Sequence, residues 1–330
     1  MEMTSFLVCP KCRGDLAQSA EAFRCRKCGG EYPIVGDVPQ FDQPKPTRAG
    51  EDGGRDERRK YWDLGWQSRF GGDHAFLASL KSRADWSRFL ESQLKTLGAS
   101  RHVSVVEADR QVVQDMVVLD IGCGSGSSGA MFGYRGAHYI GIDHSSHAAA
   151  YALRHIRGSG ADGFTVQGNA DALPIRDNSV DVVYSNGVLH HTPSFLAALD
   201  EAYRVLKPGG KAIIALYSTY STQFGVTRLL GVLKGNLTPR AIQRWMGEST
   251  EGDWRTGDRL NPWTQTFSKA QLKAVVRKYN VHGLTIRKNG QPVGELPRFG
   301  PRLMRFGSMR KIDRALEPLL GGMLIMSFNK

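Results

Sequence analysis

Apolar and polar positions alternate along residues 117–217 in one repeating arrangement. Val117-Val118-Leu119-Asp120-Ile121 is a short, nearly continuous apolar run that breaks into Gly122-Cys123-Gly124-Ser125-Gly126. Such a run predicts a strand buried on both faces, as in a parallel sheet, followed by a tight turn. Tyr139-Ile140-Gly141-Ile142-Asp143 predicts a second strand ending in an acid, and Phe164–Gln167 a third. Val180–Asn186 predicts a fourth and Lys211–Tyr217 a fifth. Between these last two, Phe195–Leu206 has helical spacing and stops at Lys207-Pro208-Gly209-Gly210. Strands alternating with helices predict a parallel α/β sheet with its ligand at the carboxyl ends of the strands. On the flanks, Asp56–Phe70 predicts an aromatic-rich helix. Ser268–Lys278 predicts another, with Ser268 as its N-cap, and Val281–Arg287 and Met323–Asn329 predict the last two strands.

The first forty residues follow a different logic. Cys9-Pro10-Lys11-Cys12 and Cys25-Arg26-Lys27-Cys28 are two C-x-x-C pairs separated by 12 residues. Each pair on a tight turn points two thiolates at one ion, and four thiolates complete a closed tetrahedral zinc site. A segment this short buries too little to fold alone, so a structural zinc supplies the folding energy. Gln43–Arg58 is rich in Pro, Gly and charge and predicts a linker. The expected organisation is a zinc ribbon over 1–42, a linker over 43–58 and one domain over 59–330, with 218–266 and 290–320 as substrate-side insertions.

Composition sharpens the choice of partner. The 330-residue chain holds 44 Lys+Arg against 32 Asp+Glu, a net charge of +12. Thirteen Lys/Arg and three acids fall between Ser268 and Lys330, so this last stretch carries +10 of that excess. This points to an anionic partner: RNA, a charged small molecule or an anionic membrane surface. Pro301–Leu320 mixes basic and apolar residues, which suits either peripheral membrane contact or a packed helix with one wet face. No run approaches the ~20 apolar residues of a membrane span, and no secretory leader is evident. An odd count of five cysteines points to a reducing compartment, the cytoplasm.

The segments VLDIGCGSG, YIGIDHS, GNADALPIRDNSVDVVYSNGVLHH and EAYRVLKPGGKAII together resemble the class I S-adenosylmethionine (SAM)-dependent methyltransferases of the small-molecule "type 11" kind. Leu7–Phe41 resembles the small zinc-ribbon family whose free-standing members bind and activate methyltransferases. The resemblances imply a doubly wound, mostly parallel, seven-stranded Rossmann-like sheet behind the ribbon, with SAM and zinc as cofactors. By resemblance, Asp120 stands near the methionine amino group above Gly122, Cys123, Gly124 and Gly126. Asp143, with His144 beside it, holds the ribose. Asn169 contacts the adenine amine, Ala170 offers backbone to the ring, and Asn186 and Leu189 flank the sulfonium. His190 and His191 follow the fourth strand, and His191 is the preferred general base.

Cys123 is the one cysteine outside the ribbon, so no thiol remains for covalent attack on a pyrimidine. What remains is in-line transfer, chiefly to an O or N of a small-molecule, glycan or lipid-linked acceptor. Two alternatives stay open. One is an RNA methyltransferase that docks through its ribbon and basic C-terminal third. The other is a catalytically inactive methyltransferase fold serving as a binding partner. Tyr61, Trp62 and Trp66 are candidate lid residues, and Trp245, Trp254 and Trp263 mark a candidate acceptor pocket.

Overall fold

A computed structural model describes residues 1–42, 55–70, 79–80, 82, 84–89, 91–92, 110–111, 114–233, 263–294, 296 and 300–330. The ribbon is a four-stranded antiparallel sheet of β1 (Leu16–Gln18), β2 (Ala22–Cys25), β3 (Glu31–Val35) and β4 (Val38–Pro39). Gly36 and Asp37 join β3 to β4 with φ of 57° and 67°, the left-handed pair that a two-residue hairpin needs. Helix α1 (Arg55–Phe70) follows, so residues 55–58 of the expected linker are helical; residues 43–54 lie outside the described residues.

The main sheet has β5 (Val117–Ile121), β6 (His138–Asp143), β7 (Gly163–Gln167) and β8 (Val180–Asn186). Helices α2 (Ser127–Tyr134), α3 (Ser146–Ser159) and α4 (Phe195–Val205) connect or follow them. Then come β9 (Leu206–Tyr217), α5 (Thr222–Leu233), α6 (Lys269–Val276), β10 (His282–Asn289), α7 (Gly300–Leu303), α8 (Gly307–Leu320) and β11 (Met323–Asn329). The strand order is β10-β11-β9-β8-β5-β6-β7, and β11 alone runs antiparallel to its neighbours. This is the expected seven-stranded, mostly parallel, Rossmann-like sheet. The order reverses beside β5, where doubly wound sheets open a crevice at the carboxyl ends of their strands.

Every residue of β5 is buried, which explains its unbroken apolar run. The ribbon and the sheet share one core: Leu7, Phe23, Tyr32 and Phe41 cluster with Ile140, Phe164, Leu173 and Ile175. Main-chain pairing joins them too. Gln40 bridges Gln167 at the free edge of β7, the Phe41 N–H donates to the Gln167 carbonyl at 2.8 Å, and Leu7 bridges Ile175. The ribbon therefore covers an edge that would otherwise expose unpaired backbone. Residues 234–262, which include Trp245 and Trp254, lie outside the described residues. Among the described residues no helix is long and apolar enough to cross a membrane.

Candidate active site

The carboxyl ends of β5, β6 and β8 open into a cavity of about 570 Å³, within the ~300–1,000 Å³ range of small-ligand sites. Its floor is the glycine turn. Gly122 has φ of 80°, and a Cβ there would stand 2.2 Å from Val188 Cγ2. Gly126 has φ of 75° and packs on α3, where a Cβ would meet Ala152 Cα at 2.7 Å. Beneath the turn, buried His155 places Nδ1 3.0 Å from the Ser125 carbonyl oxygen. Burial lowers its pKa to about 4, so the ring is neutral and Nδ1–H donates.

Two acids face this turn. Asp143 ends β6; its Oδ2 accepts the Gly124 N–H and its Oδ1 the Ser145 N–H, both at 2.9 Å. Burial pushes its pKa up to about 6 against the pull of those two donors. Asp120 is pushed up to about 7 by burial, with Tyr139 opposing and the Asp143 charge adding to the rise. The Tyr139 hydroxyl donates to Asp120 Oδ2 at 2.8 Å.

Of the expected cofactor residues, Asp120, Gly122, Cys123 and Gly124 line the cavity at the turn. Asp143, His144, Asn169, Ala170 and Asn186 line it from the neighbouring strand ends. Gly126 and Leu189 are not among the lining residues. Gly126 lies under the turn, and Leu189 is fully buried in the main core, with Val188 taking the place at the cavity wall. His144 Nδ1 lies 3.2 Å from Oδ2 of Asp42, the last described residue of the ribbon.

The two histidines part company. His190 is fully buried, stacks 3.8 Å from the Tyr217 ring, and accepts the Tyr217 N–H at Nδ1. Burial holds its pKa well below the ordinary range, so it is a neutral core residue rather than part of the cavity lining. His191 does line the cavity, and its Nδ1 is 3.1 Å from the Trp263 carbonyl oxygen. A carbonyl only accepts, so Nδ1 carries the proton and Nε2 is the basic nitrogen. Trp62 lies 5.3 Å from this ring.

Helix α1 forms one wall. Trp62 and Trp66 line the cavity, and a Cβ on Gly124 would meet the Trp66 ring at 2.9 Å. Tyr61 is buried edge-on to Trp62 instead. Asp63 ties α1 to the start of α3 by accepting the Ser145 hydroxyl at 2.6 Å. Sequence reasoning missed Arg58, Tyr184, Tyr217, Asn289 and Met323, which also line the cavity. The signal available for Tyr217, Asn289 and Met323 was their place at the strand ends bordering the site.

The four ribbon cysteines bring their sulfurs within 4.8 Å of one another. Cys9 and Cys28 are 3.6 Å apart and Cys12 and Cys25 are 3.5 Å apart. A tetrahedral ion with ~2.3 Å bonds to sulfur needs sulfur–sulfur edges of ~3.8 Å, so the cluster fits one. Burial pushes the Cys25 thiol up, but the Cys28 and Lys27 N–H groups, with help from the Cys12 and Cys28 sulfurs, bring it down to about 6.

Residues 119–214 match the family described as "Methyltransferase domain". A methyltransferase of Mycobacteroides abscessus with no assigned substrate is 28% identical over 224 residues, 67% of this chain and 79% of the relative. The demethylmenaquinone methyltransferase of Clavibacter sepedonicus is 33% identical over 127 residues, 38% of this chain and 49% of the relative. This chain thus spans less than half of that relative's length. Among solved structures, a chain from the complex of the Haloferax volcanii Trm112 methyltransferase activator with a methyltransferase aligns with a TM-score of 0.47 and 18% identity, covering 74% of this chain and 96% of that one. The sheet order is that of a doubly wound, Rossmann-like fold, and residues 119–214 within it are similar to a methyltransferase domain.

Proposed function

We propose that this protein transfers a methyl group from SAM to an O or N of a small-molecule, glycan or lipid-linked acceptor that carries negative charge. The carrying observation is the Asp143 carboxylate, fixed by two backbone N–H groups at the end of β6 in the same cavity as His191. A carboxylate so placed suits the two hydroxyls of an adenosine ribose. Asp120 faces the methionine amino group, Asn169 and Ala170 hold the adenine, and Asn186 stands beside the sulfonium. SAM supplies an electrophilic methyl group. The chain aligns the acceptor, excludes water with Trp62 and Trp66, and receives the acceptor's proton at His191 Nε2. The ribbon cysteines hold one structural zinc.

The test is incubation with methyl-labelled SAM and a host extract, with and without ribonuclease. Label is expected in molecules that survive ribonuclease; label lost on digestion would hand the reading to RNA. His191→Gln is expected to lower transfer ~100-fold while leaving SAM affinity unchanged. Unchanged transfer would remove the base.

The raised acids also predict a pH dependence. Asp120 and Asp143 lose their protons only as pH rises through about 7 and about 6. A cationic ligand favours the ionised forms, so SAM affinity should rise about tenfold from pH 6 to pH 8 with proton release. The unliganded fold shows the opposite sign. Folded pKa values raised from 3.8 give stability that is complete below that pH and lost as pH climbs through 6 to 7. Calorimetric titration in buffers of different ionisation enthalpy checks the binding; an affinity flat with pH would contradict the shifted acids.

A further inference from the structure

Helix α8 (Gly307–Leu320) turns its two acids toward the body of the protein. Its one fully buried side chain is an acid, Asp313, whose Oδ1 accepts the Val293 N–H at 2.8 Å. Glu317 also faces the body: its Oε1 accepts the Asn289 side-chain N–H at 3.0 Å and the Gly290 N–H at 3.3 Å. Met309 and Leu316 are half-buried on that same face, but other aliphatic residues of the helix point outward. Ile312 is 44% exposed and Leu319 67%, and Phe306, just before the helix, is 63% exposed.

The spacing makes this a stripe. Ser308, Ile312, Ala315 and Leu319 follow each other by four, three and four residues, so they share one helix face. Lys311 borders that stripe, three residues after Ser308 and four before Ala315, while Arg314 and Arg310 are exposed on the next face around the helix and Arg305 is exposed just before it. The only acids in this helix are the two turned inward, so every charge the helix itself exposes on its outer surface is basic. Lys288 Nζ donates to the carbonyls of both Leu319 and Tyr220, which sets Tyr220, 64% exposed, beside the end of the stripe.

We infer that α8 docks this protein on an anionic lipid bilayer. Ile312, Leu319 and Phe306 enter the boundary of the acyl chains, Lys311 beside them and Arg305 meet the phosphates, and Arg310 and Arg314 add longer-range attraction to the anionic surface. The charge fits the bilayer surface and the aliphatic stripe selects it over RNA, whose backbone would engage the basic residues and leave the stripe in water. The docked helix also borders the active site, because Glu317 holds Asn289 and Asn289 lines the cavity. Delivery of a lipid-linked acceptor to that cavity rests on the methyl-transfer reading; the docking itself does not.

The test is co-sedimentation of the full chain with vesicles of phosphatidylcholine alone or mixed equally with phosphatidylglycerol. Binding to the mixed vesicles is expected to be at least ~tenfold tighter and to weaken with salt. The Ile312→Glu/Leu319→Glu double variant is expected to lose at least ~tenfold. Arg310→Gln/Lys311→Gln/Arg314→Gln should lose a similar factor together with most of the salt dependence. All five positions are exposed, and an unchanged melting temperature and SAM titration show that the variants fold. A parent that ignores mixed vesicles, or variants that bind them equally, overturns the docking. So does a parent that retains single-stranded RNA but no vesicles. A parent that sediments as expected yet binds no SAM supports the docking and overturns only the enzymatic reading.

Discussion

Stripping the proposed zinc from Cys9, Cys12, Cys25 and Cys28 is expected to unfold residues 1–42 and lower the melting temperature of the whole chain by ~10 °C. The ribbon strands are two to five residues long, too little to hold themselves together. Their loss reaches the seven-stranded sheet because the two share a core. Val38 is fully buried and packs with Ala149 and Leu153 of α3. Arg13 reaches across to Glu201 at 2.6 Å and to the Leu173 carbonyl at 2.8 Å. Glu201 is itself buried and also holds the Leu173 N–H at 2.8 Å, so withdrawing Arg13 leaves part of a buried charge network uncompensated. SAM affinity should fall as well, because His144 loses Asp42. Chelation followed by scanning calorimetry and a metal-indicator dye checks this, with Cys25→Ser expected to behave like the stripped protein. A chain that releases its metal and melts unchanged would refute the structural role.

The strands were legible because burial on both faces writes a continuous apolar run, as in β5. Boundaries were less so. Lys207-Pro208-Gly209-Gly210 looks like a stop between a helix and a strand, yet β9 already begins at Leu206. The register slips between Val180 and Val182, and the Gly209 N–H finds the Lys330 carbonyl at 2.8 Å instead of a regular ladder. Contacts between distant segments leave no periodic mark at all. The Tyr139 hydroxyl on Asp120, His155 under the glycine turn and the ribbon on the β7 edge belong to this kind. The sequence favours His191 over His190 but places neither ring; the short helical turn at Leu189–His191 sends His190 into the core and His191 to the cavity. The mixture of basic and apolar residues over 301–320 suited a helix with one wet face but did not say which face turns inward, because hydrogen bonds to Asp313 and Glu317 help decide that.

The Asp143→Ala chain is expected to bind SAM more than tenfold more weakly. The carboxylate links three things at once: the Gly124 N–H, the Ser145 N–H at the start of α3, and the cavity itself. Truncation leaves both buried N–H groups without their acceptor, at ~1–3 kcal/mol each, and removes the charged acceptor for the ligand's hydroxyls. The cost should be shared between stability and affinity. Asp143→Asn separates the two shares, because it keeps one oxygen for the backbone but no charge for the ligand. It should therefore recover part of the melting temperature while SAM affinity stays low. The destabilisation by Asp143→Ala should also shrink as pH rises from 3.8 to about 6 and level off above, since over that window the folded chain holds a proton that the unfolded chain has lost. Unchanged SAM affinity in the Ala variant would withdraw Asp143 from the cofactor site and leave it as the clamp between the glycine turn and α3.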